Sequence, residues 1–152
     1  INRGTDHGVQ PGMAVITIDA AVGYVFRSSR LYSRVLLLTD RYAVIDAIVD
    51  RTRARGIVEG EGKTRCRLLY LEQNDDAAKG DLIVTSGLDN IFPKGLPIGV
   101  VTEVVKTNFG VNPEVSLRPI INPSRLEEVF VVLEAHKFDL TVTDKEVTEE
   151  KK

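Results

Sequence analysis

The chain has 152 residues, enough for one compact domain or two small ones sharing an interface. Its hydrophobic content of 43% supplies a core, and a net charge of −2 with scattered Lys and Arg argues against a nucleic-acid surface, which needs a clustered positive face. No apolar run approaches the ~20 residues of a bilayer-spanning helix, and the chain opens on Ile1, so it is expected to be a fragment or processed chain with any membrane anchor upstream.

Residues 1–12 read as a polar lead-in with turns at Gly4, Gly8 and Pro11-Gly12. Residues 13–18 and 22–26 read as strands, the second carrying Gly23, which inside a strand marks a bulge or a close backbone approach. After Ser28-Ser29-Arg30 comes a strand over 33–39, whose run Val35-Leu36-Leu37-Leu38 predicts cover on both faces. Beyond Asp40-Arg41, Ala43, Ile45, Ala47 and Val49 fall on one strand face, with Asp46 and Asp50 on the other. Residues 56–60 and 65–72 read as strands joined at Glu61-Gly62-Lys63, followed by a polar loop over 73–76.

Lys79-Gly80-Asp81 is a turn ahead of a short buried strand over 82–85, which Ser86-Gly87 ends. The segment 92–97 holds two prolines that lack amide donors, so it is neither regular helix nor central strand. A strand over 98–105 follows, then a loop over 106–113. The strand over 114–121 carries Pro119, which predicts an edge position. Asn122 is placed to cap a single helical turn with Pro123 at its first position. A last strand spans 129–133, and the charged, aromatic-free end from Thr143 is expected to be disordered.

Many short strands with turns every 8–12 residues and no sustained helical period predict an all-β fold. The expected organisation is two small β-barrel or sandwich modules with at most one short helix. The first module spans residues 1–78, including part of the bridging strands. The second spans 79–133, completed in part by strands from the first half, and 134–152 is a charged tail. An internal echo fits this division. Residues 11–17 resemble 79–85, and each copy is followed by a Gly-led strand, at Gly23 and at Gly99, and then by an apolar strand. Two related modules, or chance similarity between two hairpins, account for the pattern equally.

Catalytic chemistry is sparse. Ser86 follows a strand, and a degenerate serine-protease-like hydrolase is the enzymatic alternative. That chemistry needs a histidine beside the serine and a carboxylate behind the histidine. The two histidines are His7 and His136, near the two ends, and the Gly-x-Ser-x-Gly elbow is missing because Val84 and Leu88 stand at its glycine positions. The reading set against it, and the one preferred, is Ser86 as a turn residue bonding its own backbone. No metal-ligand spacing or phosphate-binding glycine motif is present, so no catalytic, cofactor or metal residue is assigned. Cys66, the single cysteine, reads as a buried small hydrophobe or, between Arg65 and Arg67, as a reactive thiol. Arg51, Arg53 and Arg55 are either a solvated strand end or the cationic stripe of an oligonucleotide-binding β-barrel, without interleaved aromatics. Tyr24, Phe26, Arg30 and Tyr32 mix aromatic and Arg side chains as protein–protein hot spots do, and are the candidate partner-binding residues, with core packing as the other fate.

Several motifs in one order carry a resemblance. Gly80-Asp81-Leu82-Ile83-Val84-Thr85-Ser86-Gly87 and Phe92-Pro93-Lys94-Gly95-Leu96-Pro97-Ile98-Gly99 resemble the signature of MreC, the family of bacterial rod shape-determining proteins. Support comes from Gly8-Val9-Gln10-Pro11-Gly12-Met13, Ser33-Arg34-Val35-Leu36-Leu37-Leu38-Thr39-Asp40, Arg55-Gly56-Ile57 and Leu126-Glu127-Glu128-Val129. The match runs from Ile1 to about Leu133, and the tail from Glu134 departs from it. The resemblance implies a cytoplasmic segment, a membrane helix and a coiled coil preceding two β-domains on the periplasmic side of the inner membrane. This chain would be the β-domains alone. It further implies a non-enzymatic, self-associating scaffold of the cell-elongation complex. Its implied partners are a class B penicillin-binding protein, MreD and, directly or indirectly, MreB, and its binding favours the active transpeptidase. The family's second β-domain is similar to a serine-protease barrel without its catalytic residues.

Overall fold

The computed structural model describes residues 1–106 and 112–133. Among these residues the chain forms ten strands: β1 (Ala14–Ile16), β2 (Ala21–Ser28), β3 (Ser33–Leu37), β4 (Val44–Val49), β5 (Arg55–Gly62), β6 (Arg65–Leu69), β7 (Leu82–Thr85), β8 (Pro97–Val105), β9 (Glu114–Pro119) and β10 (Phe130–Val131). The helical content described is two 3-10 turns, Thr5–His7 and Pro123–Arg125. Asn122 caps the second, its side chain accepting from the Ser124 amide at 3.0 Å. The all-β expectation holds. The charged tail 134–152 and part of the loop after β8 lie outside the described residues.

Strands β4 to β9 close a six-stranded barrel in the order β4-β5-β6-β9-β8-β7, and the rest form an open sheet in the order β10-β1-β2-β3. The barrel draws strands from both sides of residue 78, and β10 returns to the first sheet. Strand alternation decides what fills the barrel. Ala43, Ile45, Ala47 and Val49 are buried while Asp50 is exposed. Val58, Leu68, Ile83, Ile98, Val101, Val115 and Leu117 join them, and Phe92 enters from the loop after β7 at 0% exposure. Fully burying each large apolar side chain contributes roughly 1.5–3 kcal/mol.

Three local expectations are corrected. Pro119 does not mark an edge: β9 lies between β6 and β8, and Pro119 is its last residue, so the missing N–H falls where the ladder ends. The strand at 33–39 is only partly covered, since Val35, Leu36 and Leu37, which alternate between its faces, are half-buried while Leu38 beyond the end of β3 is buried. The strand from Arg65 stops at Leu69, because Tyr70 takes a left-handed φ of 66° that breaks the extended run.

The internal echo corresponds to two three-stranded antiparallel meanders, β1-β2-β3 and β7-β8-β9, with matching backbone bonds. Gly12 N donates to Val25 O at 2.7 Å, as Gly80 N does to Val101 O at 2.8 Å. Val25 N returns to Met13 O and Val101 N to Asp81 O, both at 2.9 Å. Gly12 and Gly80 share positive φ values of 90° and 93°. A Cβ on Gly23 would lie 2.0 Å from Leu36 O, and one on Gly99 would lie 2.7 Å from Arg118 O. Each middle strand then carries a bulge one residue after its bonded valine, at Phe26 and at Thr102.

Candidate functional site

The four predicted contact residues divide between two places. Phe26 is the extra residue of the β2 bulge, since the register steps from Val25 opposite Val35 to Arg27 opposite Arg34. The bulge turns its ring outward, at 41% exposure. Arg30 and Tyr32 sit in the β2–β3 connection, with Tyr32 63% exposed beside the exposed Leu31. That connection is held from below. Thr5 N donates to Ser29 O at 2.8 Å, Asp6 N to Arg30 O at 3.1 Å, and Arg30 pairs with Asp6 at 3.2 Å. Phe26, Arg30 and Tyr32 are therefore presented on one braced hairpin.

Tyr24 stands apart from that hairpin. It is half-buried, and its hydroxyl accepts from Val44 N at 3.3 Å and donates to Tyr42 O at 3.5 Å. These bonds tie the open sheet to the start of the barrel. Beside it stand Tyr42 and Val44, two exposed residues that sequence reasoning did not single out. Their signal was weak, because Val44 shares an ordinary alternating pattern with its strand.

Ser86 is not paired with a histidine among the described residues. Its hydroxyl donates to Asp46 Oδ1 at 2.7 Å and accepts from Leu88 N at 3.1 Å, while Ser86 N donates to Asp46 O at 3.1 Å. Arg55 donates to the same carboxylate through Nε at 3.0 Å and through a second guanidinium nitrogen. The Arg55 guanidinium, aided by the Ser86 hydroxyl, holds the Asp46 carboxyl below the usual carboxylate range against a partial burial that opposes it. His7 is engaged elsewhere, its Nδ1 accepting from Gly4 N at 3.0 Å, and His136 lies outside the described residues.

The arginine cluster does not form a stripe. Arg53 has a left-handed φ of 63° in the turn between β4 and β5, so the three residues are not one extended strand. Arg51 binds Asp81 through two nitrogens at 2.9 Å and Asp76 at 3.0 Å; Arg53 lies 3.7 Å from Asp50; Arg55 is held by Asp46. Each guanidinium faces a carboxylate of its own chain, so the oligonucleotide-binding alternative loses its cationic groove. Arg51 also lowers the pKa of Asp81, assisted by the Ala78 amide. Cys66 is 1% exposed, its Sγ 3.4 Å from Leu38 O, and burial followed by the Glu61 charge pushes its thiol up to about 12. That settles its reading as a core residue.

Comparison with known proteins gives one family. Residues 1–133 match the family model described as rod shape-determining protein MreC, barrel core. A cell shape-determining protein MreC of Escherichia coli is 35% identical over 133 residues, covering 87% of this chain and 36% of its own length. This chain spans half or less of the curated relatives it matches. A crystal structure of MreC from Pseudomonas aeruginosa superposes with a TM-score of 0.82 at 33% identity, covering 87% of this chain and 86% of that one. A chain from a complex between Penicillin-Binding Protein (PBP2) and MreC from Helicobacter pylori shares the fold. Its TM-score is 0.65 at 19% identity, covering 78% of this chain and 74% of that one.

Proposed function

This chain belongs to the MreC family of rod shape-determining proteins, and we propose that it is a non-enzymatic scaffold of the bacterial cell-elongation machinery. It works on the periplasmic side of the inner membrane, anchored through a segment outside this chain. Its main partner is a class B penicillin-binding protein. It also self-associates and takes part in an assembly that includes MreD and MreB. The observation that carries this reading is the family match over residues 1–133, on a fold shared with a chain from a complex between a penicillin-binding protein and MreC. The Ser86–Asp46 bond supports the non-enzymatic part, because it commits the serine hydroxyl to a carboxylate.

The contact surface is the braced hairpin bearing Phe26, Arg30 and Tyr32, with Tyr24 fixing how that sheet sits on the barrel. A hairpin backbone already ordered loses little freedom on binding, and aromatic and Arg side chains on it are the residue types that carry interface affinity. The scaffold acts on the transpeptidase by binding one of its conformations more tightly than the other. The test is binding of the purified chain to the soluble ectodomain of the class B penicillin-binding protein of the same organism, with circular dichroism as the fold control. The parent chain is expected to bind saturably. The double variant Phe26→Ala with Tyr32→Ala should bind about tenfold more weakly with an unchanged spectrum. Absence of binding by the parent chain overturns the function, and a double variant that binds normally overturns the surface.

A further inference from the structure

The register of the barrel sets two like charges side by side on its outer face. Between β6 and β9, Cys66 stands opposite Leu117 and Arg67 opposite Ser116. One step further along the same two strands, Arg65 comes opposite Arg118. Cys66 and Leu117 fill the interior at 1% and 2% exposure, so alternation turns Arg65 and Arg118 outward, and both are exposed. Like charges directly opposite on neighbouring strands weaken a sheet. Nothing in the same row relieves them. Beyond Arg65 lies Gly62, which has no side chain, and beyond Arg118 lies Val100. Neither arginine forms an ion pair among the described residues.

The adjoining row is built otherwise. There Val44, Glu59, Arg67, Ser116 and Glu103 follow one another from β4 across to β8. Arg67 lies 3.5 Å from Glu59 and 3.8 Å from Glu61, so its charge is met from within the chain. Arg30, Arg51, Arg53 and Arg55 likewise each face a carboxylate. Beside Arg65 a hollow of about 420 Å³ brings in Arg41, which also forms no ion pair among the described residues. Arg65 therefore has one uncompensated guanidinium as its cross-strand neighbour and another across the hollow. On the opposite flank the row runs on from Arg118 through Val100 to Leu82, both half-buried, which adds apolar surface to the cationic spot.

We propose that this face of the barrel is a docking site for an acidic polypeptide segment of a partner protein. Its carboxylates bridge Arg65 and Arg118, and its apolar side chains rest on Val100 and Leu82. Guanidinium groups suit the task, because each holds a carboxylate through two parallel N–H···O bonds. The bound carboxylates also remove the repulsion between the two arginines. Neighbouring charges select polypeptide over other anions. Glu59, Glu61 and Glu103 repel an evenly anionic layer such as a lipid surface, whereas a polypeptide can set its own Lys or Arg against them. This face lies on the barrel and the hairpin bearing Phe26 and Tyr32 lies on the open sheet, so one chain carries separate sites for two proteins. The inference rests on barrel register and stands apart from the contact surface proposed above.

The probe is a fluorescein-labelled peptide, Ser-Leu-Glu-Leu-Glu-Leu-Ser, read by anisotropy at low salt, with a counterpart carrying Gln for Glu. It is titrated with the 152-residue chain, with the double variant Arg65→Gln and Arg118→Gln, and with Arg3→Gln and Lys94→Gln, which makes the same charge change at exposed positions off β6 and β9. The parent and the second double variant are expected to bind the Glu peptide alike, and the first about tenfold or more weakly, with unchanged circular dichroism. The Gln peptide should bind to none of them. Amide shifts of the parent during titration should move most on β6 and β9, which locates the site without any substitution. Four results overturn the proposal. One is a parent chain indifferent to the Glu peptide, and another is a set of shifts centred on other strands. The third is equal loss in both double variants, which reduces the effect to net charge. The fourth is tighter binding to phosphatidylglycerol vesicles than to the peptide, lost with Arg65 and Arg118, which gives the face to a membrane.

Discussion

The Ser86 hydroxyl donates to the Asp46 carboxylate at 2.7 Å across 40 positions of sequence, joining β4 to the loop that leaves β7. Since Arg55 holds the same carboxylate, Ser86→Ala should leave Asp46 paired and cost about 1 kcal/mol in urea unfolding. Asp46→Ala should cost more, because the Ser86 hydroxyl and the Arg55 guanidinium both lose their acceptor. A fluorophosphonate probe should label neither the parent chain nor the Ser86→Ala variant. Stoichiometric labelling lost on substitution would restore a nucleophilic serine.

Acid stability depends on Asp46 and Asp81, whose pKa values are both lowered in the folded chain by bonds from Arg55 and Arg51 respectively. In the unfolded chain these carboxyls titrate near about 3.9. The unfolded state therefore binds more protons in the acid range, and stability rises with pH there. The contribution is full above the unfolded value and is lost as pH falls through the folded values. Urea midpoints between pH 3 and 6 should drop toward acid, and the double variant Asp46→Asn with Asp81→Asn should flatten that slope. An unchanged slope would show that other groups set it.

Gly23→Ala and Gly80→Ala separate two uses of glycine. At Gly23 a methyl group would overlap Leu36 O at 2.0 Å, so the β2–β3 ladder must part, at a cost of about 3 kcal/mol. At Gly80 no atom stands within 4 Å of the added carbon, and the cost is the positive φ alone, about 1–2 kcal/mol. Thermal melts should rank the variants in that order.

Much of this architecture was legible in the residues. The strand Leu82–Thr85, the inward face of β4, the Asn122 cap and the repeated Gly-led meander arise from local alternation and turn chemistry. Closure was not legible. The choice of β9 as partner for β6 brings Cys66 to Leu117, and alternation alone permits any strand with an apolar face. Pro119 misled for the same reason, since its place at the end of a ladder depends on the register of β8. The Ser86–Asp46 and Arg51–Asp81 bonds join side chains brought together by that closure. The Tyr24 hydroxyl bonds were not legible either, because their partners are backbone atoms of Tyr42 and Val44, which leave no trace in composition.

Cys66 offers a direct probe of the closed barrel. With its thiol pushed up to about 12 and only 1% exposed, it should resist alkylation at pH 8 for as long as the barrel stays shut. Reaction should then track global unfolding and accelerate with denaturant along the same curve as circular dichroism. Rapid modification of the native chain would reveal an opening between β6 and β9.

The return of β10 to β1 also has a mechanical meaning. Ile1 is fastened to β3, and Val132 N is bonded to Ala14 O at 2.9 Å, so both outlets of the described chain belong to the open sheet. The barrel strands all lie between β3 and β10, in a stretch of about ninety residues whose two ends are both held by the open sheet. Fraying of β10 from β1 would therefore free one end of that stretch without breaking any ladder of the barrel.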